Sequence, residues 1–315
     1  MKTISSTIQL GDPVEHRGVV IAPVFPRRQP QAGYITLEEA IPLGFHVTEV
    51  DAAGSVPELV ASNPLESNVL LYDGEELLGA KQNRILNVTV LVPAQSEIRI
   101  PVSCVEVGRW SARSVRFSSA RHAAYPELRR RKAEMLSVDP MALGAAQATV
   151  WDEIEAKASR LQASAPTRAQ SDIFRSRENE VGELRRAFPL VPGQAGAVLA
   201  LGQSAIALDY VSQPVAFARL YPKLLDGYLL DAIERLDGKP ARVEALKSFV
   251  GRLESAPRSR RRSAGLGEDL RLRGDGVVGS GLELEGELIQ LCVFTSEDDP
   301  AHGRATRIMR PSRRF

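Results

Sequence analysis

One stretch of the chain concentrates residues able to bind and to move protons: Asp73-Gly74-Glu75-Glu76-Leu77-Leu78-Gly79-Ala80-Lys81-Gln82-Asn83-Arg84-Ile85-Leu86-Asn87. A guanidinium and an ammonium hold phosphate or carboxylate oxygens, and amides fix hydroxyls. A carboxylate is the natural general base in a chain with four scattered histidines. On these grounds Glu75 and Glu76 are candidate catalytic residues, and Lys81, Gln82, Asn83, Arg84 and Asn87 are candidate ligand-binding residues. Glu106, Arg109 and Trp110 follow a strand end, where loops often carry sites, and are secondary candidates.

These residues need elements to hold them. Asp73-Gly74 is a hairpin dipeptide behind the apolar run Val69-Leu70-Leu71-Tyr72, so residues 69–92 are expected to form a hairpin turning there. Side chains would then alternate, with Leu78, Ala80, Gln82, Arg84, Leu86, Val88 and Val90 on one face and Lys81, Asn83 and Asn87 on the other. Arg84 in an apolar row needs a partner, for which Glu75, Glu76 and Glu106 are available. Two readings follow. Arg84 is either half of a structural ion pair inside a buried polar network, or the anchor of an anionic ligand.

The remainder of the sequence reads as α+β. Residues 10–110 are β-rich, with strands expected at 18–24, 45–50, 69–73, 85–92 and 97–102 and a short helix capped by Thr36 and Glu39. Residues 121–190 are helical, with helices expected at 126–136, 146–161 and 178–188. Residues 191–296 begin with a hairpin around Gly202-Gln203 and continue with helices at 214–236 and 240–253. They close, after a basic linker at 257–263, with antiparallel strands at 269–273, 277–284 and 287–294. A basic, flexible tail is expected at 297–315.

The residues also carry a resemblance. Gly74-Glu75-Glu76 with Gly79-Ala80-Lys81-Gln82-Asn83-Arg84, then Gly193-Gln194-Ala195-Gly196 and Leu224-Leu225-Asp226-Gly227-Tyr228-Leu229-Leu230-Asp231-Ala232, resemble the ARG and rhodanese-phosphatase-superfamily-associated protein domain, ARG meaning ADP-ribosylglycohydrolase. The resemblance spans about residues 10–296. It implies a single family-like domain associated with NAD and ADP-ribose metabolism, with an ADP-ribose-like or other phosphorylated small molecule as partner. It adds Gln194 and Tyr228 as secondary candidates and assigns no catalytic role.

Other chemistries find little support. Gly274, Gly276 and Gly279 match a dinucleotide-loop spacing, but alternation rather than a helix follows them. No Walker loop, nucleophile elbow or zinc-protease motif is present. Cys104 and Cys292 sit in apolar runs and read as buried thiols. A net charge of +1 and few aromatics argue against a nucleic-acid partner, and the basic runs read as solvated faces. No run of 18 apolar residues and no apolar leader occurs, so the expected location is the cytoplasm, without a membrane contact.

Overall fold

The computed structural model describes residues 4–51, 57–107, 114–138 and 143–296. Among these, the strands form three sheets beside seven α-helices, a mixed α+β arrangement closed by antiparallel strands. The largest sheet runs Ile8–Leu10, Val19–Pro26, Gly196–Leu201, Ser204–Val211, Glu287–Thr295, Val277–Leu284, Glu268–Gly274, Arg258–Arg262, with Val14–His16 also paired to Val19–Pro26. The beginning and the end of the chain therefore share one antiparallel sheet.

Its central strands are apolar on both faces because both faces are covered. Val19, Ile21, Leu199 and Ala207 pack under Pro214–Ala232 through Phe217, Leu220, Leu224 and Tyr228. Val20, Val24, Val198 and Leu208 face the opposite way, toward Leu246, Phe249 and Leu253 of Val243–Ser255. The hairpin expected at Gly202-Gln203 is present, with Leu201 opposite Ser204 and Gly202 at φ +59°. The short helix Leu37–Ala40 begins as its sequence predicts. Glu39 N donates to Thr36 Oγ1, and Thr36 N donates back to Glu39 Oε2 at 3.0 Å.

The smaller sheets hold the motif. Val69–Leu71 lies between Val90–Val92 and the short parallel strand Ile35–Thr36. The six-stranded sheet runs Ser118–Ala123, Glu75–Leu78, Arg84–Leu86, Ser96–Cys104, Glu58–Asn63, His46–Glu49. The hairpin expected at Asp73-Gly74 does not form. Val69–Leu71 pairs with Val90–Val92, whereas Glu75–Leu78 pairs with Arg84–Leu86 and Ser118–Ala123. Residues 85–92, expected as one strand, accordingly divide between two sheets.

The reason lies under the turn. Asp73 is drawn into a sealed ion network, where its carboxylate accepts from Arg129 Nε and Lys132 Nζ, each at 3.1 Å, and its N–H donates to Thr89 Oγ1. The Asp-Gly pair anchors the chain rather than folding one strand onto its neighbour. Gly74, at φ +81°, also lies so close to Arg129 that a Cβ would come within 2.7 Å of its Cδ.

The return to Arg84 is made instead by residues 79–83. Gly79 and Ala80 both have positive φ, and Asn83 Oδ1 accepts from Gly79 N at 3.3 Å. This irregular turn breaks the alternation, so the assignment of Lys81 and Arg84 to opposite faces of one strand falls with the hairpin.

The basic run expected to be a linker is also ordered differently. Arg258–Arg262 is the edge strand of the large sheet, paired along its length with Glu268–Gly274. Its arginines are met by acids: Arg260 by Glu283 at 2.8 Å and Arg261 by Asp269 at 2.6 Å. Arginines on an exposed edge discourage pairing with a second chain. The strand Ser118–Ala123 and the helix Gln170–Ser176 carry no strong periodic signal, and both prove central to the site. Arg109, Trp110 and the segment 297–315 lie outside the described residues.

Candidate functional site

Strand Glu75–Leu78 is flanked on both sides, and its two glutamates are almost wholly buried, at 1% and 0% exposure. Neither stands alone. Glu75 Oε1 lies 3.2 Å from Lys223 Nζ, and Glu75 Oε2 accepts from Tyr72 N at 2.9 Å. Glu76 Oε2 accepts from Gln170 Nε2 at 2.7 Å and contacts His122 Nε2 at 2.7 Å, while Asn83 Nδ2 approaches Glu76 Oε1 at 3.4 Å. Both oxygens of each carboxylate are engaged, and neither glutamate is in the wall of the cleft beside them, so what they can do there is orient their partners.

What the glutamates hold is the back of a cleft of about 730 Å3. His122, from Ser118–Ala123, forms part of its wall and stacks on Phe174 with ring centroids 3.9 Å apart. Lys223, from Pro214–Ala232, forms another part; its ammonium donates to Ser119 Oγ at 2.7 Å and lies 3.4 Å from Glu38 Oε2. Arg121, Arg175, Arg185 and Arg219 add four further basic side chains to the same wall, against the acids Glu38, Glu178 and Asp226. Arg185 is engaged by Asp226 at 2.6 Å, and Arg175 and Arg219 are largely exposed.

The electrostatics follow from these contacts. Burial opposes the charge on Lys223, but the carboxylates of Glu75 and Glu38 more than offset it, and its pKa is raised. Lys223 is thus a fixed cation rather than an amine nucleophile. Burial raises the pKa of Asp226, with Arg185 opposing. Nε2 is the ring nitrogen of His122 in contact with Glu76, which leaves Nδ1 as the nitrogen that Glu76 does not use. This arrangement can bind an anion and present one oriented imidazole for proton transfer.

The rest of the motif is placed elsewhere. Gln82 Nε2 donates to the Glu106 carbonyl at 3.0 Å, Gln82 Oε1 accepts from Arg84 Nη1 at 2.9 Å, and Asn83 N donates to Glu106 Oε2 at 3.3 Å. Arg84, wholly buried, also contacts Cys104 Sγ and lies 3.8 Å from Glu49 Oε1. Glu49 is an acid outside the motif, and Lys81 N donates to the same oxygen. Asn87 Oδ1 accepts from Ser103 Oγ at 2.8 Å. Lys81, Gln82, Asn83, Arg84, Asn87 and Glu106 therefore knit the 79–83 turn to the end of Ser96–Cys104, and none is in the cleft wall.

Cys104 is buried, and its thiol is pushed up to about 11 by that burial, with Arg84 opposing. Gln194 closes a local loop, accepting from Val191 N and donating to the Gly196 carbonyl. Tyr228 donates to Asp209 at 2.6 Å, as does Tyr72, and Arg129 forks onto the same carboxylate at 2.6 and 2.9 Å. This sealed network joins Asp73, Arg129, Lys132 and Asp209, all at most 3% exposed, and it ties the large sheet to the motif.

The match to a family model covers residues 7–294. The chain belongs to the ARG and Rhodanese-Phosphatase-superfamily-associated Protein domain family. No curated protein and no solved structure matches it. In this family member the residues that sequence reasoning missed are His122, Lys223 and the arginines around them. Lys223 left one signal, a lysine inside the apolar run of a long helix. His122 left none, because its strand is short and polar. Among the described residues, no helix is long and apolar enough to cross a membrane, and no cluster of three or more His, Cys, Asp or Glu is placed to hold a metal ion.

Proposed function

We propose that the cleft between Ser118–Ala123 and Pro214–Ala232 binds a phosphate-bearing small molecule of the ADP-ribose type. Phosphate oxygens are held by Lys223 and Arg121, and His122, oriented by Glu76, transfers a proton at the bound molecule. The observation that carries this reading is the union of a basic wall with a partly exposed His122 backed by the buried Glu76 at one cavity of ligand size. The family description, which couples this domain to ARG, supports the ADP-ribose part.

The test is thermal denaturation of the protein with ADP-ribose, NAD, ribose 5-phosphate and uncharged adenosine. A ligand at a hundred times its Kd stabilises the native state by about 2.7 kcal/mol. ADP-ribose should stabilise the parent, and Arg121→Ala, an exposed change, should weaken that effect without lowering the melting temperature of the free protein. Equal stabilisation by adenosine would remove the phosphate from the argument.

A second reading is favoured by the sealing of Gln82, Asn83 and Arg84: the motif braces the sheet, and the protein is a non-catalytic structural or interaction module. Absence of any ligand-induced shift would favour it.

A further inference from the structure

Two walls of the cleft, the strand Ser118–Ala123 and the helix Pro214–Ala232, run side by side. Lys223 Nζ donates to Ser119 Oγ at 2.7 Å. Four residues on in each element, Gly227 lies against Ala123, so close that a Cβ on the glycine would come within 3.3 Å of the Ala123 carbonyl oxygen. Lys223 is therefore at the Ser119 end of the strand, and Asp226, next to Gly227, is at the His122 end. On the helix Arg219, Lys223 and Asp226 follow at spacings of four and three, which puts them on one stripe, and all three line the cleft.

The stripe changes sign along its length. Arg219 and Lys223 lead it, and Arg121, exposed in the facing strand, pairs with no described acid. Asp226 ends it. Arg185 reaches that carboxylate with Nε at 2.7 Å and Nη2 at 2.6 Å, both on Oδ1. Oδ2 accepts no hydrogen bond from a described residue and is not sealed, since the side chain is 14% exposed and belongs to the cleft wall. His122 and Glu178, which share this wall, lie near enough for their charges to act on Asp226, while Arg175 is drawn to Asp172 at 3.2 Å.

An ionised carboxylate oxygen only accepts, so whatever meets Oδ2 must donate. That turns away a second phosphate, whose oxygens are acceptors too, and Glu178 adds repulsion. Arg185 already balances the charge that would draw an ammonium. A hydroxyl fits both conditions. Resting on the reading that the cleft holds phosphate, we infer that Asp226 sets its specificity: the ligand is a sugar phosphate lying along the helix, its phosphate at Lys223 and Arg121 and a sugar hydroxyl donating to Asp226 Oδ2 beside His122.

Calorimetric titration of the full chain tests this with ribose 5-phosphate and pentyl phosphate, which keeps the phosphate and the five-carbon chain but lacks the hydroxyls. The parent should bind ribose 5-phosphate about ten- to a hundredfold more tightly, the value of a hydrogen bond to a charged group. Asp226→Ala places a good helix former in the helix and leaves Arg185, 45% exposed, to regain water, so the variant should fold as the parent does. It should bind pentyl phosphate as the parent does and lose the preference for the sugar. If neither compound binds the parent, the phosphate reading of the cleft fails and the role of Asp226 falls with it. Equal affinity of the two for the parent overturns the sugar-phosphate assignment alone. A preference that survives in Asp226→Ala overturns the role of Asp226, as does loss of pentyl phosphate together with ribose 5-phosphate, which would make the carboxylate a general support of the cleft.

Discussion

Replacing Lys223 by methionine probes how the motif supports the cleft. Lys223 is 5% exposed, and its ammonium lies 2.7 Å from Ser119 Oγ, 3.2 Å from Glu75 Oε1 and 3.4 Å from Glu38 Oε2. Glu38 is exposed and regains water, so the loss falls on Glu75, which is 1% exposed. Methionine matches the lysine stem closely, which keeps the packing term small. Breaking a buried pair by removing one partner costs about 3–5 kcal/mol. Because Glu75 Oε2 keeps its bond from Tyr72 N, the expectation lies at the lower end, about 3 kcal/mol.

Urea unfolding reads this as a fall in midpoint at unchanged slope. The pH dependence supplies a second check. The folded pKa of Lys223 is raised, so its contribution is fully present below the unfolded value of about 10.4 and is lost as pH rises through the folded one. The gap between parent and variant should hold steady through neutrality and close above that value. A loss under about 1 kcal/mol at pH 7, or a gap that widens toward high pH, would refute the pairing.

Two further outcomes rest on other groups. Burial alone would raise the Glu127 pKa, but Arg130 at 2.7 Å and Arg131 at 3.1 Å hold it down to about 2. A depressed folded pKa adds stability above the unfolded value, on the order of 3 kcal/mol here, that disappears as pH falls through about 2. On going from pH 5 to pH 2.5 the parent should therefore lose more stability than Glu127→Gln, and equal losses would show that the pairs add nothing. Cys104, its thiol raised to about 11 by burial, should resist iodoacetamide at pH 8 in the native protein and react once guanidinium unfolds it; rapid labelling of the folded chain would contradict its burial.

Much of this fold is local information. The Thr36 and Glu39 cap, the Gly202-Gln203 turn, the apolar stripe of Pro214–Ala232 and the closing strands each follow from side-chain chemistry acting within a few residues. The α+β class and the family membership were legible in the sequence as well. The motif's neighbourhood was not local. Asp73-Gly74 has the chemistry of a hairpin turn, but Arg129 and Lys132, more than fifty residues away, pull Asp73 into a sealed network, and the strands on either side take different partners.

The site shows the same division. Sequence alone made Glu75 and Glu76 candidate catalytic residues, because a carboxylate is the natural general base in a chain with four scattered histidines. Only the tertiary structure decided what they hold. His122 and Lys223 arrive from a strand and a helix 46 and 148 positions away, and no periodicity encodes such a meeting. It depends on how the sheets and the long helix pack, which is the sum of many apolar contacts rather than the property of any one segment.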